Sequence, residues 1–215
     1  DFAAYPRDWD RDARIMESAG VDIVFAPSVE EMYPDGFQTT VAVSKVTQNL
    51  CGASRPGHFE GVATVVAKLF LCVKPHLAVF GEKDFQQLAV IKRMVRDLGF
   101  DIAVIGAPII READGLAMSS RNTYLNPDER RAAVCLSRSL ETVQKLFGAG
   151  QRDAAILVDA ARKLISAEPL ARIDYIKICD VETLEDVRTV TADAVLALAV
   201  YFGKARLIDN IVLRM

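Results

Sequence analysis

Apolar positions recur along this chain at two periods, and the order in which the periods alternate changes part-way. From Trp9 to Ala19 the spacing predicts an amphipathic helix, stopped by Gly20 at its C-terminal side. Val21-Asp22-Ile23-Val24-Phe25-Ala26 predicts a buried strand that ends at Pro27, and Tyr33-Pro34-Asp35-Gly36 has turn chemistry. Thr39 to Val43 reads as a short β run. Gly52 to Gly61 carries three glycines and a proline, which predicts irregular backbone. Val62, Val65, Val66, Leu69, Phe70 and Val73 then fall on one helical face, with Pro75 just beyond. Leu77 to Phe80 predicts a short buried strand, Phe85 to Leu98 a helix closed by Gly99, and Ile102 to Ile105 another strand. Helices and strands in alternation imply a parallel sheet with right-handed crossovers.

Past Pro108 the alternation stops. Asn126 is a good helix N-cap, Pro127 suits the first helical position, and Glu129 can complete a capping box. A long helix is expected to about Phe147 and a second from Arg152 to Ser166. Three β runs follow, Ile173 to Ile178, Val195 to Phe202 and Arg206 to Leu213. Blocks of helix and then strand indicate an α+β arrangement with an antiparallel sheet. The fold class expected is therefore α/β over residues 1–109, followed by a smaller α+β domain over residues 110–215.

Composition narrows the function. Of 215 residues, 51% are apolar and 26% charged, so a folded core is expected rather than disorder. The net charge of −3 offers no basic excess for nucleic acid, and no apolar run approaches a membrane span. The four cysteines show no metal-ligand spacing, and three lie in apolar surroundings. Buried free thiols in a reducing cytoplasm are expected. The first residue is Asp1, with no Met and no signal peptide. The expectation is a segment of a longer protein, with further strands of the parallel sheet preceding it.

Three stretches carry candidate chemistry. Gly81-Glu82-Lys83-Asp84-Phe85-Gln86-Gln87 occupies a strand-to-helix turn, where α/β proteins bind ligands. Asp84 as N-cap and Gln87 as its N3 partner would explain two of these residues structurally. Capping explains neither Gly81 nor Lys83. A lysine at a helix N-terminus adds to the potential that attracts phosphate, whereas Asp84 suits ribose hydroxyls. Met118-Ser119-Ser120-Arg121 offers hydroxyl and guanidinium donors for phosphoryl oxygens, or else forms a polar linker. Arg55 and His58, in Arg55-Pro56-Gly57-His58, either face an anion or are solvated. His76 reads as structural, and Glu185-Asp186 and Arg130-Arg131 as solvated. No P-loop, GxGxxG or Ser-His-Asp order is present.

At these residues the chain resembles the pantothenate synthetase (pantoate–β-alanine ligase) family. The resemblance rests on Arg55-Pro56-Gly57-His58-Phe59, on Gly81 to Gln87, and on Asp114-Gly115-Leu116-Ala117-Met118-Ser119-Ser120-Arg121-Asn122. Tyr5-Pro6-Arg7, Tyr33-Pro34-Asp35-Gly36 and Arg206-Leu207-Ile208-Asp209-Asn210 add to it. It implies a Rossmann-like nucleotide-binding domain similar to that of class I aminoacyl-tRNA synthetases. It implies a ligase that uses ATP, with Mg2+ carried by the nucleotide and no metal ligand among the side chains. Pantoate would attack ATP to give pantoyl adenylate and pyrophosphate, and β-alanine would then displace AMP. Gly81 and Asp84 are expected at the ribose, Glu82 beside them, and Lys83 at phosphate. Ile110 is expected against adenine, and Met118, Ser119, Ser120 and Arg121 form a mobile phosphate clasp. Gln87 is expected at pantoate, with Arg55 and His58 nearby in the cleft. A cytoplasmic homodimer is implied.

The family's N-terminal Pro-Thr-Met-Gly-x-Leu-His-x-Gly-His motif is not among these residues, so a catalytic histidine and a pantoate-binding glutamine are expected in chain that precedes Asp1. Two rival readings stay open at this point. One is a nucleotidyltransferase of the same fold. The other is a noncatalytic nucleotide-binding remnant.

Overall fold

The computed structural model describes residues 8–215, and the Tyr5-Pro6-Arg7 match lies outside the described residues. The chain divides into two compact units, one up to Thr39 and one from Thr40 to Met215. In the first, α1 (Trp9–Ser18) starts at Asp8, whose carboxylate accepts from the Arg11 amide, and ends before Gly20 at φ +75°. The short α2 (Val29–Met32) is closed by a Ser28–Glu31 capping box. The strand expected at Val21 to Ala26 does not form. A strand needs a neighbour to complete its ladder, and no described strand pairs with this run, which leaves Ile23 85% exposed. Thr39 to Val43 is likewise no strand: the Val41 amide donates to the Thr64 hydroxyl at 2.9 Å instead of to a β partner.

In the second unit, α3 (Leu50–Ser54) and α4 (His58–Val73) occupy much of the stretch expected to be irregular. The glycines and the proline act here as punctuation. Pro56 and Gly57 separate the two helices, with Gly57 at φ +78° as the α4 N-cap, and Gly61 lies within α4. Gly52 has a steric reason: a Cβ there would collide with the Thr47 carbonyl oxygen. β1 (Leu77–Gly81) and β2 (Ala103–Ala107) pair in parallel, with α5 (Phe85–Leu98) as the crossover. β1 is not fully buried as expected. Ala78 and Phe80 pack against the core, whereas Leu77 and Val79 face outward, 49% and 58% exposed.

Asn126 caps α6 (Pro127–Ala133), with Glu129 completing the capping box. The long helix expected from here is broken at Val134, and α7 (Cys135–Gly148) continues beyond it. Asp153 then caps α8 (Ala154–Ser166), two residues later than expected. β3 (Ala171–Asp180), β4 (Ala194–Phe202) and β5 (Ala205–Leu213) form an antiparallel meander. A bulge between Ile173 and Tyr175 shifts the pleat by one residue. Ile173 and Ile176 therefore face one core, and Tyr175 and Cys179 face the other. The first core lies under α7 and α8. The second joins α4, α5 and the inner face of β1–β2 to the other side of the same antiparallel sheet. The architecture is α/β with a separate antiparallel sheet. Cys51, Cys135 and Cys179 are free and buried, and Cys72 is free and exposed.

Gly52 and Gly61 test this packing in opposite directions. Gly52→Ala is expected to cost about 2 kcal/mol or more in urea unfolding, because the colliding atom is backbone. Gly61→Ala, with open space around its Cβ inside α4, is expected to be neutral or to stabilise by up to about 1 kcal/mol. A similar effect at both positions would contradict this packing.

Candidate active site

The parallel sheet delivers the chain to a turn at the carboxyl end of β1. Gly81 ends the strand, Glu82–Asp84 form one 3-10 turn, and α5 begins at Phe85. The expected capping box does not form, since Asp84 makes no side-chain cap bond. Gly81 is needed neither for conformation (φ −68°, ψ 133°) nor for clearance, because a Cβ there would meet nothing within 4 Å. The Lys83 side chain is mostly covered, and its ammonium lies 4.0 Å from the half-exposed Asp84 carboxylate. Glu82 folds over Gly106 of β2, where a Cβ would come within 2.9 Å of its Oε1. Gln86 is buried: its Nε2 donates to the Val46 and Asn49 carbonyls, and its Oε1 accepts from the Gly52 amide. Gln87, one residue on, is half-buried.

The Met-Ser-Ser-Arg stretch leaves a short antiparallel stem. Arg111 bridges Ala117, the Met118 amide donates to the Ile110 carbonyl, and Gly115 turns the loop at φ +91°. Ile110 and Met118 thus lie side by side with exposed side chains. The Ser119 hydroxyl accepts from the Arg121 amide and caps the 3-10 turn Ser120–Tyr124. The stem is braced from α6. Arg130 pairs with Glu112 at 2.8 Å and Asp114 at 2.7 Å, and Asn122 donates to Glu112 and to the Ala117 carbonyl. Arg130 is therefore not the solvated residue expected. Asp186 is exposed, as expected, and accepts from Lys177 and Asn49.

His58 links the stretches. It is the first residue of α4, and its Nε2 lies 3.1 Å from Arg55 Nη1. A guanidinium only donates, so Nε2 holds the lone pair and the ring is neutral. Burial, first, and then the Arg55 charge lower its pKa from 6.5; Asp84 opposes this, and Arg121 and Arg206 add to it. Side chains from the end of α3, the β1–α5 turn, the Ser120–Tyr124 turn and β5 thus lie within electrostatic reach of one imidazole. Arg55 and His58 are both in the cluster. Arg206, quoted in the sequence only as part of a match, proves to be a member as well. Arg206 pairs with Asp174, the bulge residue of β3, and its Nη1 lies 3.1 Å from Cys51 Sγ. A cleft of about 220 Å³ opens beside Arg55, lined by Ser44, Thr47, Gly57 and Glu60 among others. It meets the predicted site only at Arg55. Among the described residues no three His, Cys, Asp or Glu side chains are grouped to hold a metal ion.

The pantoate-beta-alanine ligase family model matches residues 1–212. The chain belongs to the pantoate-beta-alanine ligase family. It is 56% identical over 210 residues to the pantothenate synthetase of Syntrophus aciditrophicus, covering 98% of this chain and 73% of that protein. It is 58% identical over 212 residues to that of Heliobacterium modesticaldum, covering 99% and 75%. A crystal structure of pantothenate synthetase from Thermus thermophilus superposes with a TM-score of 0.96 at 50% identity, covering all of this chain and 78% of that one. A pantoate-beta-alanine ligase from Francisella tularensis, complexed with Beta-gamma ATP and Beta-alanine, gives a TM-score of 0.76 at 32% identity over 98% of this chain and 72% of that one. This family membership makes the chain one of a ligase family, and its α/β fold is that of these structures.

Sequence reasoning missed the polar residues of this ligase chain that hold the site without facing it: Gln86, Arg111, Glu112, Arg130 and Asp174. For Gln86 and Asp174 the signal was an amide or a charge next to apolar neighbours in a helix and a strand, whereas Arg111 and Glu112 lie in a loop and Arg130 on a polar helix, where there was none. The titration of His58 tests the cluster. The unfolded imidazole binds protons near 6.5 and the folded one only at lower pH, so stability falls as pH drops below 6.5. His58→Gln is expected to flatten that part of the stability profile, measured by urea unfolding on both sides of pH 6.5. An unchanged slope would show that His58 is not held neutral.

Proposed function

We propose that the intact protein condenses pantoate with β-alanine at the expense of ATP, through a pantoyl-adenylate intermediate. The convergence of Arg55, Arg121 and Arg206 on a neutral histidine that also feels Asp84, the residue next to the mostly covered Lys83, is the observation that carries this reading. In the first step a pantoate carboxylate oxygen attacks the α-phosphorus of ATP. The bond to the bridging oxygen breaks, and pyrophosphate leaves with the electron pair. In the second step the β-alanine nitrogen attacks the acyl carbon, the acyl–oxygen bond breaks, AMP departs and the amine gives up a proton. In-line attack at phosphorus is chiefly a matter of positioning and of stabilising charge, and this cluster supplies cations and amide donors.

Gly81 leaves open room for a ribose at the end of β1, and Asp84 presents a half-exposed carboxylate to its hydroxyls. Glu82 holds the turn on the sheet and Lys83 meets phosphate. Met118, Ser119, Ser120 and Arg121 close over the phosphates, with Ile110 against the base. Gln87 binds pantoate, with Arg55 and His58 nearby. A donor set of cations and amides fits a nucleotide that brings its own Mg2+, which would neutralise phosphate charge; no side chain is assigned to that ion. The boundary near residue 110 then separates the nucleotide-binding part from the part that carries the clasp. The resemblance carries a homodimer, and three buried free thiols suit the cytoplasm.

The deciding assay is AMP release. Given ATP and pantoate, the intact protein should form AMP when β-alanine is added. Nucleotide transfer that is indifferent to β-alanine would favour the nucleotidyltransferase, and no turnover at all would favour a noncatalytic protein. Within that assay, Lys83→Ala should slow single-turnover adenylation by about 10² or more, the scale of one lost transition-state contact. Gln87→Ala should weaken pantoate binding more than ATP binding; equal losses would remove its assignment to pantoate.

A further inference from the structure

Asp209 and Asn210 are two adjacent polar residues on β5, a strand that is otherwise apolar apart from Arg206, and both are almost fully buried (2% and 5% exposed). They face different loops. Asn210 Nδ2 donates to the Glu82 carbonyl at 3.0 Å and to the Lys83 carbonyl at 2.9 Å. Asp209 takes a two-pronged bond from Arg111, Nη1 at 2.7 Å to Oδ2 and Nη2 at 3.0 Å to Oδ1. Arg111 Nη1 also holds the Gly115 carbonyl at 3.1 Å, so this pair fixes both ends of the stem beneath Met118 to Arg121. The two halves are joined, because the Asn210 amide donates to Asp209 Oδ1 at 2.8 Å.

We infer that Asp209 and Asn210 are positioning residues that set the distance between the turn at Lys83 and the loop at Arg121. Neither touches substrate. Asn210 holds the backbone from which the Lys83 side chain departs, and Asp209 holds the stem from which Arg121 departs. Adjacent residues of one extended strand cannot shift independently, so the two phosphate-facing cations share a single backbone reference. This inference rests on the proposed roles of Lys83 and Arg121. Electrostatic catalysis needs its charges placed in advance, and a misplacement of about 1 Å costs on the order of 10²-fold.

The test is a double-mutant cycle on the intact protein, read as the single-turnover rate of adenylation, with ATP binding and unfolding temperature measured in parallel. Asn210→Ala is expected to lower that rate about tenfold or more while ATP binding stays within about threefold. In a Lys83→Ala background, Asn210→Ala should add little, because the group it places is gone. Arg111→Lys keeps the charge against Asp209 and gives up the two-pronged bond. It should slow the same step, and its effect should vanish in an Arg121→Ala background. It also carries the test if Asn210→Ala does not fold. Additive losses, or a loss of ATP binding and thermal stability with the catalytic step unchanged, would reduce Asp209 and Asn210 to ordinary fold residues. An undiminished adenylation rate in Lys83→Ala alone would instead overturn the assignment of the turn, and the inference with it.

Discussion

The two faces of β4 belong to two different cores, and the rest of the larger unit is arranged around that fact. Ala194, Leu196, Leu198, Val200 and Phe202 point toward α7 and α8, whereas Val195 and Ala197 point toward α4 and α5. A strand with side chains at period two can serve both only if it is apolar at every position over that length, and β4 is (Ala-Val-Leu-Ala-Leu-Ala-Val). Each large side chain buried there is worth about 1.5–3 kcal/mol. The same burial locks the pairing register, because a slip of one residue would exchange the two faces. β5, paired along its whole length to β4, inherits that register, and its polar residues therefore arrive at fixed places.

The cations of the candidate site and of the stem that supports it are offset unevenly by the fold. Arg206 is matched by Asp174, which a bulge in β3 turns toward it, and Arg111 by Asp209. Lys83 has the Asp84 carboxylate at 4.0 Å. A neutral imidazole at the N-terminus of α4 avoids adding one more positive charge where the helix end already supplies a partial one. Three arginines therefore act on one imidazole in a chain whose net charge is −3.

Much of this was legible in the sequence. The α5 helix lies where apolar spacing put it, from Phe85 to Leu98, and the Asn126–Glu129 capping box and the antiparallel β3–β4–β5 block formed as read. What was not legible depended on partners distant in sequence. Val21 to Ala26 has strand composition, but a ladder partner is not encoded in the run itself. Gly52 to Gly61 looked irregular because glycine has low helix propensity, yet Gly52 is there to clear the Thr47 carbonyl, a collision visible only in three dimensions. In the site, the residues with reactive or charged tips could be chosen from motifs. The residues that orient them, Arg130 for the stem and Asp174 for Arg206, lie 18 and 32 positions from the groups they hold.

The two glutamines at the start of α5 show what such orientation entails. Gln86 is bonded to three backbone groups between Val46 and Gly52, and that fixes the rotation of the helix about its own axis. Successive helical residues are about 100° apart, so the heading of Gln87 is decided by its neighbour. The doublet works like a key and its blade: one amide is cut to the scaffold, and the half-buried other is placed by it. Deleting one residue between Gly81 and Gln86 would bring Gln87 into the braced place, and inserting one would put Phe85 there. The length of this turn is therefore constrained as tightly as its composition.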